Sequence, residues 1–162
     1  MTDVSKELFE NILMDKAADI SADRSTDRGT DKSADFSPLA LAYMGDTVYE
    51  VFIRTLVLSE GNIPPHKLHQ KSIKYVKAKS QANILKKITE CFPLTQDEQD
   101  IIRRGRNAKS GTIPKNADLI EYKYATAFES LIGYLYLNKY LERLMEILNI
   151  SAKIIKDENK DK

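Results

Sequence analysis

The chain has 162 residues, of which 30% are charged and 42% hydrophobic. This composition fits one globular domain and excludes a collagen-like or wholly disordered protein. A single cysteine, Cys91, excludes a disulfide framework and a cysteine-rich zinc site. The net charge of +1 conceals residues 64–115, where 12 basic and 4 acidic residues give +8. We expect a polyanionic partner for this segment; the alternative is a helical surface that lysines merely keep hydrated.

Residues 1–35 offer little that a core could bury. Four tandem tetrads of small and charged residues occupy 21–36, and such low complexity is typical of a mobile segment. Apolar residues at helical spacing over 3–18 could form a short amphipathic helix. We therefore predict that 1–35 is a mobile extension, that 1–33 can be removed without loss of the fold, and that the domain begins at Phe36.

Six helices are predicted over 36–155, because apolar residues recur at helical spacing and no strand-like alternation is present. The first begins at Pro38, behind the N-cap Ser37, and runs to about Leu58. The fourth begins with a capping box at Thr95–Glu98 and runs to about residue 104. The other helices are expected at about 65–77, 80–88, 117–137 and 139–155.

The segments between and after these helices are predicted from their composition. Residues 105–115 contain Gly, Pro, Asn and Ser and form a basic loop, and Asn116 is expected to cap the fifth helix. Residues 156–162 are expected to be a charged tail. The predicted fold class is therefore all-α, with one helical domain over 36–155.

Two acidic residues stand inside apolar helical runs. Asp46 and Glu129 are each close to a helix glycine, Gly45 and Gly133 respectively, where another backbone can approach. Glu50 follows Asp46 by four residues and shares its helix face. Carboxylates among core residues are costly unless they are paired, protonated or bound to metal. Two inward acids could hold a divalent cation; the alternative is a pair satisfied by hydrogen bonds or by a lysine.

Motifs around these acids resemble a known family. Residues 41–48 (LAYMGDTV) resemble the signature helix of ribonuclease III, and residues 128–137 (FESLIGYLYL) resemble the second carboxylate helix of that family. The closest resemblance is to the Mini-ribonuclease III branch, which lacks the double-stranded-RNA-binding domain. It extends over about 36–150 and includes the stretches 41–50, 78–82, 103–109 and 122–129.

The resemblance implies the homodimeric, all-α ribonuclease III endonuclease fold. It also implies a Mg²⁺- or Mn²⁺-dependent endoribonuclease that cleaves double-stranded RNA and leaves 5′-phosphate and 3′-hydroxyl ends. Asp46 and Glu129 would be the catalytic, metal-binding residues, and Glu50 would be a weaker metal candidate or a dimer-interface residue. The implied cellular task is maturation of the 23S ribosomal RNA precursor.

Phosphate contacts are expected from the helical domain itself, since no separate RNA-binding domain follows it. The alternative is that the arginines of the loop region 103–115 pair with Glu98 or Asp100 and stiffen the turn. The expected RNA-binding residues lie in two basic stretches: Lys74, Lys77, Lys79 and Gln81 in the first, and Arg103, Arg104, Arg106, Asn107 and Lys109 in the second.

Two positions depart from the general family pattern. The signature glutamate before Asp46 is Ala42 here, and the aspartate before Glu129 is Thr126. The Mini branch shares both gaps. A non-catalytic binding module for double-stranded or ribosomal RNA on the same fold therefore remains an alternative function. A second alternative is a helical interaction protein whose basic face meets an acidic protein.

The sequence also predicts the cellular location. No apolar stretch approaches the roughly 20 residues that a membrane span needs, and the N-terminus lacks a basic and apolar signal region. A single cysteine fits a reducing compartment, so a cytoplasmic protein without membrane contact is expected. Cys91, beside Phe92, is expected to be a buried small hydrophobe.

Overall fold

The computed structural model describes residues 36–109, 116 and 118–160, which contain six α-helices and no strand. The helices are α1 (Pro38–Ser59), α2 (Pro65–Val76), α3 (Ala78–Cys91), α4 (Gln96–Asn107), α5 (Leu119–Leu137) and α6 (Leu141–Lys160). The all-α prediction is confirmed. The predictions for residues 1–35 lie outside the described residues.

Local hydrogen bonds explain where the helices begin. The Ser37 hydroxyl accepts from the Ala40 amide at 3.2 Å at the start of α1. At the start of α4, Thr95 and Glu98 form the predicted reciprocal capping box. The N-cap of α5 is Asp118, whose carboxylate accepts from the two amide groups of residues 120 and 121. The prediction that Asn116 caps this helix was wrong.

Three helices extend further than the sequence predicts. Helix α3 covers residues 78–91, where about 80–88 is expected. Helix α4 continues to Asn107, so residues 105–107 of the predicted loop are helical. Helix α6 continues to Lys160, so most of the predicted charged tail is helical as well. Its last turns are held on α3, because the Glu158 carboxylate accepts hydrogen bonds from Asn83 and, at 2.8 Å, from Lys87. Cys91, the last residue of α3, is exposed, contrary to prediction.

Helix α5 is the centre of the core. It packs against α1, α3 and α4, and every residue from Ala125 to Tyr136 is buried except Glu129. A helix that is apolar on all sides must be surrounded by other helices, which is the arrangement observed. The aromatic rings of Tyr49 and Phe128 meet edge to face at 5.0 Å where α1 and α5 pack together.

Glycines allow α1 and α5 to cross with their backbones in close contact. A Cβ atom added at Gly45 would overlap the carbonyl group of Glu129, and one added at Gly133 would overlap the carbonyl group of Leu41. The predicted close approach at both glycines is confirmed. As a result, Asp46, which follows Gly45, lies beside the turn of α5 that carries Glu129. None of the helices in the described part of the chain is long and apolar enough to cross a membrane.

Candidate active site

The crossing of α1 and α5 brings Asp46 and Glu129 together at its edge. Asp46 is exposed on α1, whereas Glu129 is partly buried in the middle of α5. The two carboxylates are close enough for the charge of Asp46 to act on Glu129. Residues 83 positions apart in the chain therefore lie in one acidic cluster, and their catalytic and metal-binding roles stay predictions.

The electrostatics of this pair are unfavourable in the protein alone. Two effects raise the pKa of Glu129 to about 8: burial, which is the larger, and the negative charge of Asp46. The nearby Gln81 amide opposes this rise. The pKa of Asp46 is also raised above its ordinary value, mainly by burial and to a smaller extent by the charge of Glu50. Neither acid has an ion-pair partner within the described residues. The negative charge of the pair is therefore not balanced by a basic side chain of the described domain.

Glu50, the weaker metal candidate, lies one helical turn beyond Asp46. Its carboxylate pairs with Arg54 of the same helix at 3.1 Å, and both side chains are substantially exposed. The structure thus places Glu50 close enough to raise the pKa of Asp46, while its own charge is already paired. No group of three or more potential metal ligands occurs among the residues that the structure describes.

The positions of the two missing family carboxylates are filled by packed side chains. Ala42 is 5% exposed and Thr126 is 6% exposed. The Thr126 hydroxyl donates to the carbonyl oxygen of Tyr122 at 2.9 Å, within its own helix. Neither residue offers a replacement ligand, so the acidic donors at the crossing are Asp46 and Glu129, with Glu50 behind them.

This donor set fits a hard divalent cation. Mg²⁺ prefers oxygen ligands, keeps several waters and is commonly bound through one or two carboxylates together with substrate phosphates. A cation between Asp46 and Glu129 would also remove the repulsion that raises the Glu129 pKa. Two carboxylates without a basic partner are therefore consistent with a metal site completed by water and by the substrate.

The first basic stretch lies at the corner between α2 and α3. Lys74, Lys77 and Lys79 are exposed there and form no ion pair with another described residue. Lys77 is both the C-cap of α2 and the N-cap of α3. The three ammonium groups are thus available to a polyanion.

The second basic stretch lies at the end of α4 and is partly engaged. Arg103 pairs with Asp100 at 3.1 Å, as the alternative interpretation predicts for one arginine. Arg104 donates to the carbonyl oxygen of Phe36 at 3.5 Å. Arg106 lies 5.9 Å from the centre of the Tyr124 ring. Asn107 and Lys109 are exposed.

Comparison with known proteins identifies the family. The model of the ribonuclease III domain matches residues 39–140, which include both acids and the α1–α5 crossing. This chain belongs to the ribonuclease III family. The all-α ribonuclease III fold and the endoribonuclease class, both expected from the resemblance, are confirmed.

Curated relatives place the chain in the Mini-ribonuclease III branch of the family. "Mini-ribonuclease 3" of Thermoanaerobacter sp. (strain X514) is 49% identical over 75% of this chain and 84% of the relative. "Mini-ribonuclease 3" of Staphylococcus aureus is 47% identical over 75% of this chain and 90% of the relative. An X-ray structure of a protein from Fusobacterium nucleatum is similar with a TM-score of 0.68 and 36% identity, over 76% of this chain and 98% of that one.

Gln81 is the predicted RNA-binding residue that the structure places differently. It is 2% exposed, and its side-chain amide donates to the carbonyl oxygen of Val76 at 2.9 Å. A direct surface contact with RNA does not fit this position. The sequence does contain the signal: Gln81 shares its helix face with Ile84, Leu85 and Ile88, and this spacing is typical of a buried stripe.

Proposed function

We propose that this ribonuclease III family member is a Mg²⁺-dependent endoribonuclease that cleaves double-stranded RNA. The observation that carries the proposal is the Asp46–Glu129 pair, which has no cationic partner within the described residues and lies at the crossing of the two signature helices. Two uncompensated carboxylates are costly in a resting protein, and their retention is explained by cation binding. Mn²⁺ has the same preference for oxygen ligands and can replace Mg²⁺.

In this proposal Asp46 and Glu129 hold the cation, and Glu50 adds negative charge behind Asp46. A bound divalent cation would activate a water molecule and stabilise the charge that develops on the phosphate oxygens. Hydrolysis would leave 5′-phosphate and 3′-hydroxyl ends. Glu129 is partly buried in α5, so its carboxylate is poorly solvated without a cation.

RNA would be bound by the two basic stretches. Duplex RNA is recognised mainly through its phosphates and 2′-hydroxyl groups, so exposed lysines and arginines supply the chemistry required. The proposed contact residues are Lys74, Lys77 and Lys79 at the α2–α3 corner and Arg103, Arg104, Arg106, Asn107 and Lys109 at the end of α4, all of them exposed except the half-buried Arg104.

We further propose a homodimer whose two sites cut opposite strands. Leu39 and Tyr43, one turn apart on α1, are 36% and 80% exposed, which is unusual for neighbouring large apolar side chains on a helix in a single protomer. By helical spacing, Asp46 and Glu50 fall on the same side of α1 as Leu39 and Tyr43. A partner docked there would place the acidic site at the edge of the interface.

The proposed cellular substrate is the 23S ribosomal RNA precursor, and the proposed location is the cytoplasm. Both come from the membership of the Mini-ribonuclease III branch, and the single cysteine fits a reducing compartment. Incubation of the purified protein with duplex segments of precursor 23S RNA, beside unrelated duplexes of equal length, tests the substrate.

The deciding test of the enzymatic proposal is Asp46→Asn, which keeps the volume and removes the charge. We expect cleavage of duplex RNA in Mg²⁺ to fall by at least about a hundredfold, because the cation loses a ligand, while duplex binding in chelator is retained. Asp157→Asn, on the exposed surface of α6, is the matched control.

The result separates the two RNA-related functions. Cleavage by Asp46→Asn at the wild-type rate would mean that the assigned site is wrong. Tight, salt-dependent duplex binding without cleavage in Mg²⁺ or Mn²⁺ by the wild-type protein would instead favour the non-catalytic binding module, which the loss of acids at Ala42 and Thr126 supports.

A further inference from the structure

The side-chain carbonyl oxygen of Gln81, Oε1, is buried and has no hydrogen-bond partner among the described residues. The residue as a whole is 2% exposed. A buried acceptor without a donor costs free energy, so native proteins nearly always satisfy it with a protein group or an ordered water. The position of Gln81 beside the acidic site therefore needs an explanation.

The orientation of the Gln81 amide is fixed by its neighbours. Its nitrogen, Nε2, donates to the carbonyl oxygen of Val76 at 2.9 Å. The reverse orientation would place Oε1 against that carbonyl oxygen, so two acceptors would face each other. The amide is also close enough to the Glu129 carboxylate to lower its pKa. Nε2 thus has an acceptor on α2 and faces an acid on α5, whereas Oε1 still needs a donor.

Gln81 is one of three side chains that satisfy the end of α2. The carbonyl oxygens of Lys74, Tyr75 and Val76 accept from Ser80 at 2.7 Å, from Tyr49 at 3.4 Å and from Gln81. These carbonyls have no partner within the helix itself, and side chains of α1 and α3 replace the missing donors. Of the three side chains, Gln81 is the one that also contacts an acid of the site.

Resting on the function proposed above, we propose that Gln81 is a positioning residue for the divalent cation. Its amide holds the Glu129 carboxylate at the crossing of α1 and α5. Its Oε1 atom, which has almost no solvent-accessible surface without the cation, accepts a hydrogen bond from a hydration water once cation binding opens this contact. The hydration waters of Mg²⁺ or Mn²⁺ can only donate hydrogen bonds, and a donor is what the acceptor Oε1 lacks. Groups that orient metal-binding carboxylates typically contribute 10- to 100-fold to metal affinity.

The proposal predicts a specific loss in Gln81→Met, which keeps the length and approximate volume of the side chain but removes its hydrogen-bonding atoms. The dissociation constant for Mn²⁺ should rise by about tenfold or more in the absence of RNA. Depletion of the electron paramagnetic resonance signal of free Mn²⁺ measures this constant directly. Excess Mn²⁺ should restore most of the cleavage rate, while the KM for duplex RNA should remain within about twofold of the wild-type value.

The matched control is Ser80→Ala, which removes the neighbouring capping bond to Lys74 but does not touch Glu129. A purely structural role of the corner would affect both variants alike. Mn²⁺ affinity in Gln81→Met equal to that in Ser80→Ala would overturn the proposal. If Gln81→Met does not fold by circular dichroism, Gln81→Asn makes the same comparison, because it keeps the carboxamide but shortens its reach by one methylene group.

Failure of this inference is distinguishable from failure of the proposed function. Wild-type protein that cleaves duplex RNA and binds Mn²⁺, with Gln81→Met unaffected in metal affinity, would overturn the role of Gln81 alone. Wild-type protein that binds no more Mn²⁺ than Asp46→Asn would overturn the metal site, and with it both proposals.

Discussion

At the scale of one residue, the carboxyl group of Glu129 lies where its negative charge lowers the stability of the fold but can bind a cation. Glu129 is the partly exposed residue in an otherwise buried stretch of α5, and burial together with the charge of Asp46 raises its pKa from 4.5 to about 8. An acid that binds its proton more tightly in the folded than in the unfolded protein destabilises the fold once the proton is lost. The metal-free protein is therefore expected to be least stable where Glu129 is ionised.

This imbalance predicts the pH dependence of stability. Because the folded pKa lies above the unfolded one, the contribution of Glu129 is fully favourable below about pH 4.5 and is lost as the pH rises towards 8. In Glu129→Gln this decline should largely disappear, and at pH 8 the free energy of unfolding without metal should exceed that of wild type by about 4 kcal/mol. Urea denaturation in chelator at several pH values measures both effects.

A suitable control for this measurement is Glu142→Gln, which removes an exposed acid from α6. Glu142→Gln should show the same decline of unfolding free energy with pH as the wild-type protein, because an exposed carboxylate is hydrated in the folded and in the unfolded protein. An unaltered decline in stability between pH 4.5 and 8 in Glu129→Gln would contradict the assignment. In the wild-type protein, Mg²⁺ should offset the decline, since cation binding favours the ionised carboxylate.

At the scale of single elements, the site depends on how closely α1 and α5 cross. In Gly133→Ala, the added methyl group would overlap the backbone carbonyl of Leu41, so the helices must separate. We expect a loss of about 3 kcal/mol in the free energy of unfolding, at the upper end of overpacking effects. Cleavage should fall as well, because separation of the helices moves Asp46 away from Glu129.

Thr47→Ala provides the comparison for this substitution. Thr47 is exposed on α1, and its hydroxyl donates only to the carbonyl oxygen of Tyr43 in the same helix, at 3.4 Å. Its replacement should change stability by no more than about 0.5 kcal/mol. Equal thermal midpoints for Gly133→Ala and Thr47→Ala would show that the crossing tolerates a side chain and that its geometry does not fix the site.

The basic end of α4 is the element assigned to RNA. Replacement of Arg104, Arg106 and Lys109 by Ala should weaken duplex binding. The slope of the logarithm of the binding constant against the logarithm of the salt concentration should become shallower by about one unit for each phosphate group that the variant no longer neutralises. Folding and metal affinity should be unchanged. Fluorescence anisotropy of a labelled duplex over a salt series measures the slope.

An equal loss of charge elsewhere controls for net charge. Lys153, Lys156 and Lys160 lie on α6, outside both basic stretches, and the corresponding triple alanine variant should keep most of the salt dependence. If both triple variants bind duplex RNA with wild-type slopes, the end of α4 does not contact RNA in the way we propose.

Local signals in the sequence predicted the features of the helices that depend on neighbouring residues. The capping box at Thr95–Glu98 and the start of α1 at Pro38 are set by side chains within four positions. The association of Gly45 with Asp46 and of Gly133 with Glu129 likewise indicated the close crossing. Patterns of this kind, together with the family motifs, were sufficient for the fold class and the acidic pair.

Features that depend on distant residues could not be predicted in the same way. Helix α6 extends to Lys160 because Glu158 is bonded to Asn83 and Lys87, more than 70 positions earlier. Gln81 is buried because the end of α2 and the middle of α5 both converge on it. Its own segment is rich in lysines, and this charge directed the prediction towards the surface instead of the core.

At the scale of the whole molecule, the proposed chemistry requires two protomers. Each protomer has one Asp46–Glu129 pair, so a cut through both strands of a duplex needs a second site in a fixed relation to the first. The exposed apolar side of α1, which includes Leu39 and Tyr43, is the surface we assign to this contact. Because Asp46 shares that side by helical spacing, dimer formation and cleavage should be coupled.

Tyr43→Lys tests this coupling, since Tyr43 is 80% exposed and a charge there would be buried at the interface. We expect a monomer in sedimentation velocity experiments, with an unchanged circular dichroism spectrum, because the side chain is not part of the core. Duplex breaks, seen on native gels, should fall by at least about tenfold, whereas a monomer that still binds RNA would leave only single-strand nicks, visible after denaturation. Tyr140→Lys, at a 49% exposed position before α6, should remain dimeric and active. A Tyr43→Lys monomer that produces paired cuts at the wild-type rate would show that one protomer is sufficient.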